Sequence, residues 1–404
     1  MYRILITGLV AILLTPAASF GADAHSPSAL QQFSSFNDNS RRHIDYSVWS
    51  DLLHDFVLNV PIMDRKPERQ RTQLTGSRAL TSNESRYRFE ANRVAYNTMS
   101  DEYRQAITEY REDLEALPSQ IDLASLSRTE QLAYWLNLHN VAIIEQIMLE
   151  YPVTRINSMH AHGSRENVFD AKILTVNGVP LSLNDIRLRI VYAQWDDPRV
   201  IYGFFNGAIG GPELPRDAYD ATRIWGQLDR NATEFVNSLR GVEVARTELR
   251  VSHIYREAER FFPNFDTDLR AHLNRYANAE TQEQVNNIRP VRTSVEDWHI
   301  ADLINGSTRC TGTGGPALMY STTVEGAPRS DAINAPLSCT TLPSNGVILM
   351  TAVQERRIEL MREGRYGEVR TIDIPTDQNG NRIHLRPAGE PTPASDSVSE
   401  TSGE

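Results

Sequence analysis

Hydrophobic residues recur at helical spacing in the first third of the chain. Four of them fall at i, i+3, i+7 and i+10 and share one helix face: Tyr46, Trp49, Leu53 and Phe56. Between residues 84 and 117 apolar positions recur among alternating charges, which is typical of a partly exposed helical hairpin. These patterns predict a helical segment over residues 45–120.

The next apolar segment predicts the central helix of the core. Ser127 and Glu130 have the spacing of an N-terminal capping box, and they open a stretch at 131–151 that is apolar on most faces. Asn137, His139 and Asn140 lie within it. A buried polar side chain is costly unless it is hydrogen-bonded, so we expect each of the three to have a partner or a ligand.

The middle of the chain predicts short strands among further helices. Residues 172–179 are typical of a strand that ends in a hairpin turn at Asn177 and Gly178. The apolar run at 199–205 predicts a buried strand that leads into a glycine-rich loop at 206–212, and two further helices are expected near 225–239 and 266–276. The predicted class is α+β, a helix-rich domain around a small β-sheet.

The two ends differ from this folded middle. Residues 1–24 have the order of a secretory signal peptide, with cleavage after Gly21 or Ala24, and residues 25–44 read as a flexible leader. Residues 304–386 predict a C-terminal appendage, and residues 387–404 an acidic tail without a core. In an oxidising compartment the two cysteines, Cys310 and Cys339, would form a disulfide that links the appendage.

The net charge and the distribution of apolar residues limit the classes of partner that the chain can bind. The formal charge is −11, from 41 Lys and Arg against 52 Asp and Glu, so no basic excess favours a nucleic acid. The mature chain has no apolar stretch long enough to span a membrane. We expect a periplasmic or secreted protein whose partner is another protein or a small molecule, and no cofactor is predicted.

Several segments resemble, in order, one family, the domain of unknown function 547 (DUF-547). The resemblance covers residues 121–303, and the helical lead-in before it is also similar. The matching segments are Y-W-L-N-L-H-N at 134–140, Y-P-V-T-R-I at 151–156, V-F-D at 168–170, L-S-L-N-D-I at 181–186, D-P-R at 197–199 and V-E-D-W at 295–298. The family has no settled activity, so the resemblance implies a fold more than a function.

One departure from the family pattern bears on function. The family's glycine loop usually resembles C-G-A-x-S-C-P-P-L, whereas this chain has Asn206 and Gly211 at the two cysteine positions. His139 also stands where tyrosine is usual. If the family cysteines are catalytic, this chain has lost the chemistry; if they are structural, it has lost only a covalent link.

Two groups of residues could form a catalytic site. Asn137 and Asn140 share a helix face, and with His139 they would either orient a ligand or tie the helix to the glycine loop. Asp297 and His299 are two residues apart and would share one face of a strand, where the acid could tune a general base or anchor the strand.

The remaining candidates are weaker. His160 and His162 have a spacing that can chelate zinc or copper, although the loop offers no fixed third ligand. The glycine loop could form one wall of a pocket through the residues Asn206, Gly207, Gly210 and Gly211. It has neither the P-loop ending nor the dinucleotide fingerprint.

Three functions remain open from the sequence. The first is a non-catalytic exported binding or scaffold module. The second is a hydrolase or transferase, of papain-like or transglutaminase-like ancestry, that uses His139 or Asp297 with water and the two asparagines as orienting groups. The third is a periplasmic metal-binding protein.

Overall fold

The computed structural model describes residues 27–59, 65, 85–87, 90–302, 373–375 and 382–384. The α-helices are α1 Pro27–Leu30, α2 Ser47–Phe56, α3 Asp101–Ala116, α4 Arg128–Glu150, α5 Tyr192–Gln194, α6 Ile224–Val236, α7 Ile254–Glu257, α8 Phe265–Tyr276 and α9 Ala279–Asn287. A π-helical segment, Asp185–Val191, leads into α5. The strands are β1 Val57–Leu58, β2 Arg93–Val94, β3 Leu174–Val176, β4 Val179–Leu181, β5 Val242–Ala245, β6 Glu248–Ser252, β7 Val291–Val295, β8 Asp373–Pro375 and β9 Arg382–His384.

Helix α4 is the centre of the core, as predicted. It begins where the Ser127 hydroxyl accepts a hydrogen bond from the backbone N–H of Glu130 at 3.2 Å. Every residue from 130 to 148 is buried, because the helix is apolar on most faces and is surrounded by other elements. Ring contacts extend the core outward, with Trp135 edge-on to Phe33 at 5.1 Å.

Small sheets flank this helical core. Strands β5 and β6 are antiparallel, and β7 pairs with β6 in parallel, which gives the order β5-β6-β7. Strands β3 and β4 form the predicted hairpin, with Leu174 opposite Leu181 and a turn at Asn177 and Gly178. Helices with small, separate sheets make this an α+β structure, so the predicted class is confirmed.

Two local predictions are wrong. Residues 199–205 do not form a strand, because Pro198–Gly203 is a 3-10 helix. Its start is fixed by Asp197, whose carboxylate accepts the backbone N–H of Arg199 at 2.9 Å while Pro198 occupies the first turn. An apolar run suits a buried 3-10 helix as well as a buried strand, since both are covered on every side.

The second wrong prediction concerns where the long helix of the lead-in begins. Helix α3 begins at Asp101, where the Ser100 side chain caps it, rather than near residue 84. Before it, β2 pairs with β1, and Val57 lies opposite Val94. The alternating charges around residue 90 therefore belong to a short two-stranded pairing and the turns beside it.

Several predictions fall outside the described residues. These are the signal peptide at 1–24, the cysteines Cys310 and Cys339, and the tail at 387–404. Of the appendage at 304–386, the structure describes only β8 and β9, which pair in antiparallel fashion. Within the described ranges, none of the helices is long and apolar enough to cross a bilayer.

Candidate functional site

A cavity of about 280 Å³ lies beside the middle of α4. Its walls come from α4, the loop before β3, the π-helical segment and α5, the 3-10 helix with the glycine loop, helix α7 and the chain after β7. The lining residues are His139, Asn157, Asn167, Phe169, Asp170, Asn184, Arg187, Tyr192, Ile201, Phe204, Asn206, Pro212, Ile254, Glu257 and Trp298. This volume is near the lower end for small-molecule sites.

Four side chains on the cavity wall form a continuous row of hydrogen bonds, which we call the polar row. Asn184 donates through its amide nitrogen to Asp170 at 2.8 Å, and its amide oxygen accepts from Arg187 at 3.0 Å. Arg187 also donates to Glu257 at 2.6 Å. Each planar group is thus held in one orientation by its neighbour.

Arg187 is the charged centre of the polar row. Burial alone would lower its pKa, but Tyr192 and Glu257 outweigh burial and raise the pKa of Arg187 above its usual value. Asn184 and Arg187 are three residues apart in the segment that begins the π-helix, which places them on the same face. Sequence patterns did not single out either residue.

His139 is the only member of the predicted α4 group that lines the cavity. Its Nδ1 lies 3.2 Å from the Asn140 amide oxygen, and since that oxygen accepts, Nδ1 carries the proton. Burial lowers the pKa of His139 to about 3. His139 is therefore neutral at physiological pH, and its ring packs edge-on against Phe204 at 4.8 Å.

Asn137 and Asn140 hold the backbone of neighbouring segments instead. The Asn137 amide donates to the carbonyl of Tyr219 at 2.8 Å and accepts from the N–H of the same residue at 2.9 Å. Asn140 donates to the carbonyl of Gly203 at 3.0 Å and accepts from the N–H of Phe205 at 3.1 Å. Both amides tie α4 to the backbone of the chain between residues 203 and 219.

The glycine loop contributes Asn206 and Pro212 to the cavity wall, while its glycines serve the turn behind them. Gly207 has a φ of +80°, which a side chain rarely adopts. At Gly210 the N–H donates to the carbonyl of Asp297 at 3.0 Å, and a Cβ there would lie 2.5 Å from that oxygen. The loop is thereby pressed against the chain after β7.

The Asp297 and His299 pair lies outside the cavity lining. Strand β7 ends at Val295, so the two residues do not share a strand face as expected. The Asp297 carboxylate accepts from the backbone N–H of His299 at 2.9 Å, from its Nδ1 at 2.6 Å and from the Ser85 hydroxyl. Burial would raise the pKa of Asp297, but the hydrogen bonds from His299 and Ser85 hold it below its usual value.

Trp298, between these two residues, is the side chain that reaches the cavity. Its indole ring lies 5.9 Å from the Phe169 ring and 5.0 Å from the His253 ring, measured between centroids. Its Nε1 donates to Glu296. These contacts fix the orientation of a half-buried aromatic surface at the cavity.

A buried ionic network supports the glycine loop from behind. Arg240 donates to the carbonyl of Gly211 at 3.2 Å and pairs with Glu234, while Glu90 accepts the backbone N–H of Arg240 at 3.0 Å. Burial and the nearby charge of Glu234 raise the pKa of Glu213 to about 8. Burial and the charge of Glu234 therefore favour a bound proton at Glu213, although the guanidinium groups of Arg240 and Arg93 oppose it.

The two candidate metal ligands, His160 and His162, have different bonding partners. His162 is exposed and its Nδ1 pairs with Glu150 at 2.6 Å, while His160 is exposed and forms a backbone bridge with Asn167. In the portion of the chain with described coordinates, no cluster of three or more histidine, cysteine or acidic side chains could hold a metal ion.

Residues 123–236 match the model of the family described as a protein of unknown function, DUF547. The predicted resemblance is thus confirmed over the segment from the turn before α4 to the end of α6, which supplies most of the cavity lining. No curated protein and no solved structure gives a significant match to the chain. Helix α7 and Trp298 lie beyond the matched segment.

Proposed function

We propose that this protein is an exported binding protein, without catalytic activity, whose ligand occupies the cavity beside α4. The observation that carries the proposal is the polar row on the cavity wall. Its planar groups are already held in place by one another, so they offer preformed donors and acceptors to a ligand. Binding then costs little side-chain conformational entropy.

The chemistry of the lining supports binding over catalysis. The described residues that line the cavity include no serine, threonine, cysteine or lysine. Burial raises the pKa of Tyr192 to about 12, and His139 is neutral with a pKa of about 3, so neither is suited to exchange protons near pH 7. Asn206 stands at a family cysteine position, and its carboxamide oxygen accepts from the N–H of Ala208 at 3.0 Å.

Export is the second part of the proposal, and it depends on the N-terminal sequence pattern. Expression of the full chain in a bacterial host, followed by intact mass measurement of the periplasmic fraction, tests it directly. We expect a chain shortened after Gly21 or Ala24. A full-length chain recovered from the cytoplasm contradicts export and leaves the cavity proposal untouched.

Thermal unfolding in the presence of a chemically diverse metabolite library tests the binding function. A ligand at 100 times its dissociation constant stabilises the native state by about 2.7 kcal/mol. We expect such a shift for the wild type and its loss in Arg187→Gln, which removes the positive charge of the polar row and its hydrogen bonds to Asn184 and Glu257.

The matched control is Arg199→Gln. Arg199 is likewise half-buried and ion-paired, with Asp197 at 2.6 Å, but it does not line the cavity. A ligand shift that survives in Arg187→Gln, or conversion of a bound compound into product by the wild type, contradicts the proposal.

A further inference from the structure

We infer that the ligand is a neutral carbohydrate, with one sugar ring stacked on Trp298 and its hydroxyls bonded to the polar row. This inference rests on the proposed function and specifies its ligand class. It follows from three properties of the cavity lining, namely the planar polar groups, the fixed aromatic surface and the charge balance.

The first property is the geometry of the polar row. A sugar hydroxyl both donates and accepts, and two adjacent hydroxyls match a planar group that offers two hydrogen-bonding atoms side by side. Carboxylate, carboxamide and guanidinium groups of this kind alternate along Asp170, Asn184, Arg187 and Glu257. Asn157 adds a further exposed carboxamide to the lining.

The second property is the aromatic surface. The C–H face of a sugar ring is apolar and packs on the face of an indole, which carries partial negative charge. Trp298 is half-buried, so part of its surface is open to a ligand, while Phe169, His253 and Glu296 hold the ring in place. An aromatic face beside planar polar groups suits a ring with one apolar face and a polar rim.

The third property is the charge. The lining holds two carboxylates, Asp170 and Glu257, against one guanidinium, so with a neutral His139 its formal charge is −1. An anion would meet both carboxylates. Both terminal nitrogens of Arg187 already donate to Glu257 and Asn184, so a phosphate or carboxylate that approached the guanidinium would compete with these two acceptors. A cation would face Arg187 directly, which leaves a neutral polyhydroxylated ligand as the best match.

Isothermal titration calorimetry of the mature chain tests the ligand class. The probes are neutral sugars (glucose, galactose, mannose, N-acetylglucosamine and their disaccharides), inorganic phosphate and citrate as anions, and spermidine as a cation. We expect saturable binding of at least one neutral sugar. We expect Trp298→Ala to weaken that binding by about tenfold or more, and Trp298→Phe to retain most of it.

Trp225→Ala is the matched control, because Trp225 is a half-buried tryptophan that packs on Arg199 away from the cavity. It should bind sugar like the wild type, and the melting temperature of each variant reports whether it is folded. Sugar binding should also quench tryptophan fluorescence in the wild type and in Trp225→Ala, and this quenching should be lost in Trp298→Phe.

The outcomes separate the two proposals. If only an anion binds and Arg187→Gln abolishes that binding, or if only spermidine binds, the carbohydrate inference is overturned while the binding function stands. If a sugar binds equally to the wild type and to folded Trp298→Ala, the inference is overturned for this cavity. If no probe and no library compound binds, the proposed function fails together with it.

Discussion

The two positions where the family pattern has cysteine are close enough in this fold to be joined. An ideal Cβ at Gly211 would lie 2.5 Å from Cγ of Asn206, so the side chain of residue 206 points at residue 211. A cysteine at 206 would place its sulfur near the present Cγ, within bonding reach of a sulfur on residue 211 after a small adjustment. We therefore predict that Asn206→Cys combined with Gly211→Cys forms a disulfide.

The expected gain follows from the length of the closed ring. Residues 206 to 211 enclose six residues, and the chain-entropy model gives about 2 kcal/mol for a ring of that size, less any strain. For a domain of this size that corresponds to a rise in melting temperature of about 4–8 °C. Gly211→Cys alone should instead destabilise the protein by about 1–3 kcal/mol, because its Cβ meets the carboxamide of Asn206.

The assay compares thermal unfolding of the double variant with and without reductant, with Cys310 and Cys339 changed to serine in every protein compared. Mass measurement of the peptide that contains both new cysteines, before and after reduction, reports the bond. A double variant that stays reduced under air oxidation, or whose oxidised form melts no higher than its reduced form, refutes the reasoning. In that case the two positions are not arranged as a structural pair.

Three further predictions concern buried polar groups, each checked by chemical denaturation. Asn137→Ala should lower the free energy of unfolding by about 2–5 kcal/mol, since it strands the buried N–H and carbonyl of Tyr219; an exposed control, Asn39→Ala, should change little. The depressed pKa of Asp297 stabilises the fold above about pH 4, and this stabilisation is lost as pH falls through the native pKa. The free energies of unfolding of the wild type and of Asp297→Asn should therefore converge in acid. Parallel pH profiles of the two proteins would contradict this. The pKa of Glu213 is raised to about 8, so its contribution to stability is complete below about pH 4.5 and is lost as pH rises through 8. The free energy of unfolding of Glu213→Gln should therefore rise relative to that of the wild type between about pH 5 and 9. If it does not rise, the ionic network holds no proton.

The central helix and the hairpin were predictable because their patterns are local. The capping residues of α4 and the asparagine-glycine turn each specify a backbone geometry within a few residues. The 3-10 helix was not predicted, because hydrophobicity alone does not distinguish two buried conformations. The cue that separates them is Asp197 followed by Pro198, which caps and starts a helical turn.

The cavity was predictable only in part. His139 and Asn206 were expected near a pocket, and the structure places both in its lining. Arg187 and Glu257 were missed because they are 70 residues apart, and no short-range pattern marks an ion pair formed across the fold. The sequence pointed to Asp297 and His299, but these two residues bond to each other, and Asp297 also bonds to Ser85. The residue between them, Trp298, lines the cavity instead.

The carboxamides of Asn137 and Asn140 act as substitute peptide groups. Each offers one donor and one acceptor to a stretch of chain, as a neighbouring strand would. Side chains of a helix can in this way position the backbone of residues 203–219 without a neighbouring strand. The chain on either side of the glycine loop is thus held from α4 through backbone atoms alone. Side chains at positions 206 and 211 can therefore differ from the family pattern, while Gly207 and Gly210 still set the turn between them.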